Sequence, residues 1–173
     1  MEMSMFQGLL NNVLITVGSC LLPTIVGIAA YFVCSKNESL TKLAHLCGVI
    51  FESFCPVITI LLMYYCVFAQ TRLNGILVCI IGFTISFLGY MPTRYNSDYS
   101  FFKNIAVNGI GLVSSIFKWS FCASFIGAVE MLRVANIQMA RTYDPSSFWA
   151  AMIISFVVLL ILELMKYVAK EKL

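Results

Sequence analysis

Apolar residues run along this chain in long, nearly charge-free blocks, and polar positions gather between the blocks. A helix needs about 20 apolar residues to cross roughly 30 Å of hydrocarbon. The first block is the most complete: Met3 to Ser35 holds no charged residue, and its core, Leu9–Cys34, predicts a first span. Pro23 at its middle predicts a kink, and Gly18 and Gly27 predict close neighbours. A loop from Ser35 to about Ala44 carries Lys36, Glu38 and Lys42. The second predicted span runs from about His45 to Ala69 and contains Glu52 and Pro56. After the short loop Gln70–Asn74, the third covers Gly75 to about Met91. Pro92–Lys103 is a polar interlude, and the fourth span, about Asn104–Val129, is interrupted by a single charge, Lys118. Glu130–Ser147 is mixed in polarity, and Asp144-Pro145-Ser146-Ser147 at its end predicts a turn followed by a helix N-cap. The fifth span, Phe148 to about Tyr167, leads into Lys170-Glu171-Lys172.

Composition strengthens that picture. Of 173 residues 61% are hydrophobic and 11% are charged, under half the roughly 25% charged content of a soluble domain. With a mean hydropathy of +0.93, the chain carries too little polar surface to coat a water-facing globule. It reads as one all-α integral membrane domain over residues 1–173, with five transmembrane helices. The net charge of +3 forms no polybasic stripe, so no nucleic-acid partner is expected. Met1–Gly8 has no Lys or Arg and does not read as the start of a cleaved leader.

The distribution of Lys and Arg predicts orientation. Positions 36, 42, 94, 103, 166, 170 and 172 fall on one side, and 72, 133 and 141 on the other. The excess marks the cytoplasmic side, placing the C-terminus inside and the N-terminus outside.

Candidate chemistry is sparse. Seven cysteines (20, 34, 47, 55, 66, 79, 122) form no CxxC pair, and His45 is the single histidine. They read as small apolar residues, and neither a disulfide framework nor a metal site is predicted. No hydrolase motif and no phosphate-binding G-x-x-x-x-G-K is present, so no catalytic residue is assigned and no cofactor is expected on this chain. Lys118 lies about 21 Å into the fourth span at 1.5 Å per residue. A mid-membrane ammonium faces a bundle interior, a partner charge or a water-filled path. Two roles stay open for it: a group lining a substrate path or gate, and a snorkelling or ion-paired structural lysine. Ser115 and Ser120 on the same span, with Glu52, complete the candidate path. Glu52 is the natural candidate partner for Lys118, although roughly 10 Å of axial mismatch separates them; the alternative reading of Glu52-Ser53-Phe54-Cys55-Pro56 is a helix break whose freed backbone groups are satisfied by neighbours. Glu163, one turn from Lys166, reads as an interfacial pair. Glu130, Arg133, Asn136 and Arg141 alternate with Met131, Leu132, Ala135 and Met139, which predicts an amphipathic helix at the outer surface, either a loop cap or a docking face.

The stretch Ser115–Pro145, SIFKWSFCASFIGAVEMLRVANIQMARTYDP, resembles the permease subunits of polar-amino-acid ABC importers. Ser115, Lys118, Ala123, Ser124, Ile126, Gly127, Glu130, Leu132, Arg133, Arg141 and Thr142 fall on the family's pattern without a gap. Leu9–Thr16, Ser35-Lys36-Asn37, Glu52, Pro56 and Tyr64-Tyr65 resemble its first half. The family's R-G-T-P element is reduced here to Phe54-Cys55-Pro56, and Trp119 and Val129 replace a polar residue and a proline. The long cytoplasmic loop that docks the ATPase is shortened to Pro92–Lys103, with Arg94 and Lys103 as its basic residues. The resemblance implies a bacterial inner-membrane permease subunit, paired with a second permease as homo- or heterodimer. It further implies two cytosolic ATPases that supply the ATP step, an extracytoplasmic solute-binding protein, and Glu130, Arg133 and Arg141 as an outer gate or binding-protein contact. The short third loop leaves an alternative: a permease-like membrane protein without ATPase coupling, acting as a structural or regulatory partner. An ion-driven carrier is a third option.

Overall fold

The computed structural model describes residues 4–34, 38–71, 73–96 and 98–172, and those residues are all helix and connection. Lys36, Arg72 and the Ser35-Lys36-Asn37 motif lie outside the described residues. Eight helices follow in order: α1 Met5–Cys34, α2 Glu38–Glu52, α3 Pro56–Leu62, α4 Gly75–Ser86, α5 Tyr90–Thr93, α6 Phe101–Ser120, α7 Met131–Thr142 and α8 Ser146–Lys172. A π turn over Met63–Val67 extends α3, and a 3-10 turn over Phe121–Ile126 extends α6.

Among the described residues, four segments are long and apolar enough to cross a membrane: Met5–Phe32, Gly75–Thr93, Phe101–Ile126 and Ser146–Glu171. A fifth crossing is made if Ser39–Glu52 and Pro56–Val67 are counted as one span, bent by 68°. The protein is therefore an all-α, multi-pass membrane protein. The bend has a local cause. Pro56 has no N–H to continue α2 and disfavours helical backbone at the residue before it. Cys55 accordingly sits at φ −62 and ψ 122, and α3 restarts with Pro56 in its first turn.

Other segments deviate from the sequence expectation at their ends. Pro92 lies inside α5, so the third crossing runs to Thr93. Residues 94–96 and 98–100 belong to the connection between α5 and α6, tied down by two buried asparagines. Asn104 donates to the carbonyls of Asn96 and Tyr99 and accepts from the Asn96 N–H, while Asn108 donates to the Arg94 carbonyl. Ser100 caps α6 by accepting from the Lys103 N–H. Pro23 sits inside α1 without ending it. At the start of α8, the Asp144 carboxylate accepts from both the N–H and Oγ of Ser146.

The core lies where α1, α3, α4 and α6 meet, around Ile15, Ile60, Cys79, Phe83, Leu112 and Ile116. Close approach depends on glycine at two places. A Cβ on Gly27 would lie 2.6 Å from the Met91 side chain, and one on Gly8 would lie 2.6 Å from the Met131 backbone. The second contact seats the outer end of α1 against the start of α7. α8 packs on α6 and α7, and Ala151 and Ala169 are its buried apolar residues.

Candidate functional site

Where span two bends, Glu52 ends α2 with its carboxylate free to turn away from the helix axis. Arg94, the residue after α5, meets it as an ion pair. The guanidinium also stacks on Tyr90, with 3.8 Å from its carbon to the ring centroid. Both carry the pair into an open recess of about 390 Å³, lined among others by Pro56, Ser86, Ser115 and Trp119. An anion, a cation, an aromatic face and a hydroxyl thus converge at the end of the third crossing. Such a set can hold a small polar solute by opposite charges at two ends.

Beside the recess, Lys118 of α6 donates to Glu163 of α8 at 2.7 Å, and the Ser114 hydroxyl donates to the same carboxylate oxygen at 2.8 Å. Lys118 is thus ion-paired, one of its two expected roles, and its partner is Glu163 and not the candidate Glu52. Ser114 and Lys118 stand four residues apart, so they share a face of α6, and that face meets α8. Glu163 is at their depth, whereas Glu52 is held by Arg94. Lys166 and the Tyr90 hydroxyl both approach α6 at Gly111, where a Cβ would lie 3.5 Å from the Lys166 Nζ and 2.7 Å from the Tyr90 oxygen. The recess and the α6–α8 pair are therefore neighbours on one side of the bundle.

The candidate path residues divide accordingly. Ser115 and Glu52 line the recess, with Arg94 and Trp119 beside them. Lys118 points to α8. Ser120 is fully buried, its hydroxyl donates to the Phe117 carbonyl at the end of its own helix, and it stands apart from the residues that line the recess. Arg94, expected simply as a basic residue of the shortened loop, lines the recess and pairs with Glu52. Lys103 stays at the loop, with its ammonium 4.8 Å from the Tyr99 ring centroid.

At the outer end, Glu130 is fully buried. Its two carboxylate oxygens accept from the N–H groups of Leu132 and Arg133, which caps α7. Fully buried, it presents no surface for the binding-protein contact that was one of its two expected roles; Arg133 is half-buried and Arg141 is exposed. Asn11 donates to the Val129 carbonyl at 2.6 Å. Asn12, also fully buried, lies against Glu130 with neither polar side-chain atom completing a hydrogen bond. Burial pushes the Glu130 carboxyl up to about 7, against the lowering pull of the two backbone N–H groups, Asn12 and Arg133. An outer recess of about 470 Å³, lined by Gln7, Asn11, Tyr64, Asn74 and Gly127 among others, opens beside this joint.

Sequence reasoning missed Arg94 as a recess residue and Asn12 as part of the outer joint. A signal for Arg94 existed: it stands next to a predicted span whose neighbour carries an unpaired Glu52. Asn12 had none, since an asparagine near a span end is unremarkable until a carboxylate is packed on it. Among the described residues, Cys20, Cys47, Cys55, Cys66, Cys79 and Cys122 are free thiols, and no group of His, Cys, Asp and Glu is arranged to hold a metal.

No protein-family model matches the chain, and no curated protein matches it in sequence. In fold it is similar to a solved chain described as "an amino acid ABC transporter with histidines". The two superpose with a TM-score of 0.76 at 14% identity, over 98% of this chain and 94% of that one. At that identity the likeness is one of fold, and it extends over practically the whole molecule.

Proposed function

We propose that the chain is the transmembrane permease subunit of an ATP-driven importer for polar or charged amino acids in a bacterial inner membrane. The observation that carries the reading is the fold likeness to an amino acid ABC transporter over 98% of the chain. The recess supports it: the solute's carboxylate would exchange for Glu52 on Arg94, and its ammonium would take Glu52. Ser115 and Trp119 would contact the remainder, and Lys118 would brace α6 against α8. ATP would be hydrolysed by a separate cytosolic ATPase, with the C-terminus of this chain inside and the N-terminus outside. A second permease subunit would complete the membrane unit, and an extracytoplasmic solute-binding protein would deliver cargo near Arg133 and Arg141. Alternating access requires that ATP-driven closure favour one permease state over the other.

The short inner loop favours a second reading, a permease-like protein without ATPase coupling that acts as a structural or regulatory partner. Between α5 and α6 the described residues hold no further helix to seat on an ATPase. Affinity purification of the tagged chain from native membranes, with proteins identified by mass spectrometry, separates the two. Recovery of an ABC ATPase near 1:1, and ATP-dependent amino-acid uptake by the complex in proteoliposomes, is the result expected for the importer. Arg94→Met should then lower uptake about tenfold or more, the loss of one charge-assisted hydrogen bond to solute. If a control permease retains its ATPase while this chain recovers none, the second reading replaces the first.

A further inference from the structure

Two buried anomalies meet at the outer joint of α1 with α7. Glu130 is a carboxyl with none of its surface exposed, and Asn12 is an amide in the same condition. Gly8 and Asn12 stand four residues apart and share a face of α1. That face is seated on the start of α7: a Cβ on Gly8 would lie 3.0 Å from the Glu130 backbone carbonyl carbon. Asn12 reaches the Glu130 side chain from there, yet neither its Nδ2 nor its Oδ1 completes a hydrogen bond. Leaving a buried polar group unmet costs about 1–3 kcal/mol, and this amide is unmet at both ends. The carboxyl has room for it. Each Glu130 oxygen accepts one N–H from the first turn of α7 and keeps a lone pair for a second partner.

An ionised carboxylate answers half of this arrangement: it accepts from Nδ2 but repels the Oδ1 of the same amide. A neutral carboxylic acid answers both halves. Its O–H donates to Oδ1 while its carbonyl oxygen accepts from Nδ2, and the acid and the amide close a ring of two hydrogen bonds. We infer that Glu130 and Asn12 form a proton-binding site at the outer joint, in which the protonated acid pairs with the amide and latches α1 to α7, and loss of the proton releases the latch. A metal cation suits the place less well, because two N–H groups already point at the carboxyl and a hard cation takes about six oxygens or more. Of the elements packed on α7, α1 carries no charged residue, the 3-10 turn brings Cys122, and α8 carries no charge from Ser146 through Leu162. Arg133, on α7 itself, is the cation facing the carboxyl, and its pull opposes the burial that lifts the group to about 7. Occupancy therefore changes near neutral pH. Asn11, the neighbour of Asn12, lines the outer recess, so release of the latch loosens one wall of that recess. The inference stands apart from the permease reading, and its test measures no transport.

Infrared difference spectra of the full-length chain in lipid vesicles, recorded as pH is raised from about 5 to about 9, read the acid directly. The expected result is loss of a carboxylic-acid carbonyl band with a midpoint near pH 7, a band that Glu130→Gln lacks. Asn12→Leu removes the amide and keeps apolar bulk, so the band should move to higher frequency as the ring is lost. Amide hydrogen exchange over residues 131–135, corrected for its intrinsic pH dependence, should quicken about tenfold or more across the same range. In Glu130→Gln it should stay flat. Where that variant fails to reach the membrane, carbon-13 labelling of glutamate identifies the band and Asn12→Leu still decides its partner. Carboxylate bands alone at every pH, an acid band that Asn12→Leu leaves in place, or exchange indifferent to pH each overturn the inference. So does a midpoint that moves with sodium concentration at constant ionic strength, which would place a metal cation in the site.

Discussion

α1 and α8 are both long and apolar, yet they are embedded in different ways. α1 touches α4, α5, α6 and α7 and turns a polar stripe inward. Asn12, Thr16 and Ser19 are buried along it, and Ser19 donates to the Ile80 carbonyl at 3.3 Å across to α4. Its outer face, with Leu14, Leu21 and Ile25 exposed, suits lipid. α8 touches α6 and α7, buries two alanines, Ala151 and Ala169, meets α6 through Glu163 with Lys118 and Ser114, and leaves most of its apolar face exposed. Equal hydropathy therefore conceals unequal roles. α1 is a structural member of the bundle, whereas α8 is an edge that carries charge.

The sharpest way to break this comparison is to overpack each helix in turn. Gly8→Leu drives a side chain into the Met131 backbone and should cost about 3 kcal/mol or more, read as a large loss of thermal stability in detergent. A stable variant would show that the outer end of α1 is loosely seated.

The joint of α1 with α7 should also respond to pH. Folding raises the Glu130 carboxyl to about 7 from its ordinary 4.5, so the folded state binds this proton more tightly than the unfolded chain does. The resulting stability is present in full below pH 4.5 and is lost as pH rises through about 7. At 1.36 kcal/mol per unit the change is on the order of 3 kcal/mol. Glu130→Gln should flatten that part of the stability–pH curve; an unchanged curve would remove Glu130 as its source.

The α8 side should give smaller effects. Lys118→Met and Glu163→Gln should each destabilise by about 1 kcal/mol, and the double substitution by less than their sum, with a coupling near 0.6 kcal/mol as found for polar pairs between membrane helices. Strict additivity would mean that the pair holds nothing together. Least of all, Leu160→Ala on the open side of α8 should stay within about 0.5 kcal/mol in the isolated chain. A larger loss there would show that α8 is already covered when the chain is solubilised.

Much of the architecture was legible in the residue pattern. Charge-free blocks mark crossings because hydrocarbon excludes ionised groups, and Pro56 marks the break in span two because proline can neither donate to α2 nor tolerate a helical residue before it. Gly18 and Gly27 announced close contacts, found against Ile80 and Met91. The site was less legible. Glu52 and Lys118 were visible as anomalies, but their partners were not. Pairing depends on depth, tilt and which face of each helix turns inward, and Arg94 and Glu163 are 42 and 45 residues away from them along the chain.

What the sequence alone determined is the solvent and the kind of element: apolar runs too long for a soluble core, and backbone polar groups that hydrocarbon compels into helices. What only the tertiary structure decided is which charges meet, which carboxylate is buried, and which helix is left open. Those outcomes turn on contacts of a few ångströms between helices distant in sequence, where a side chain's neighbour, and not its own type, sets its electrostatic environment.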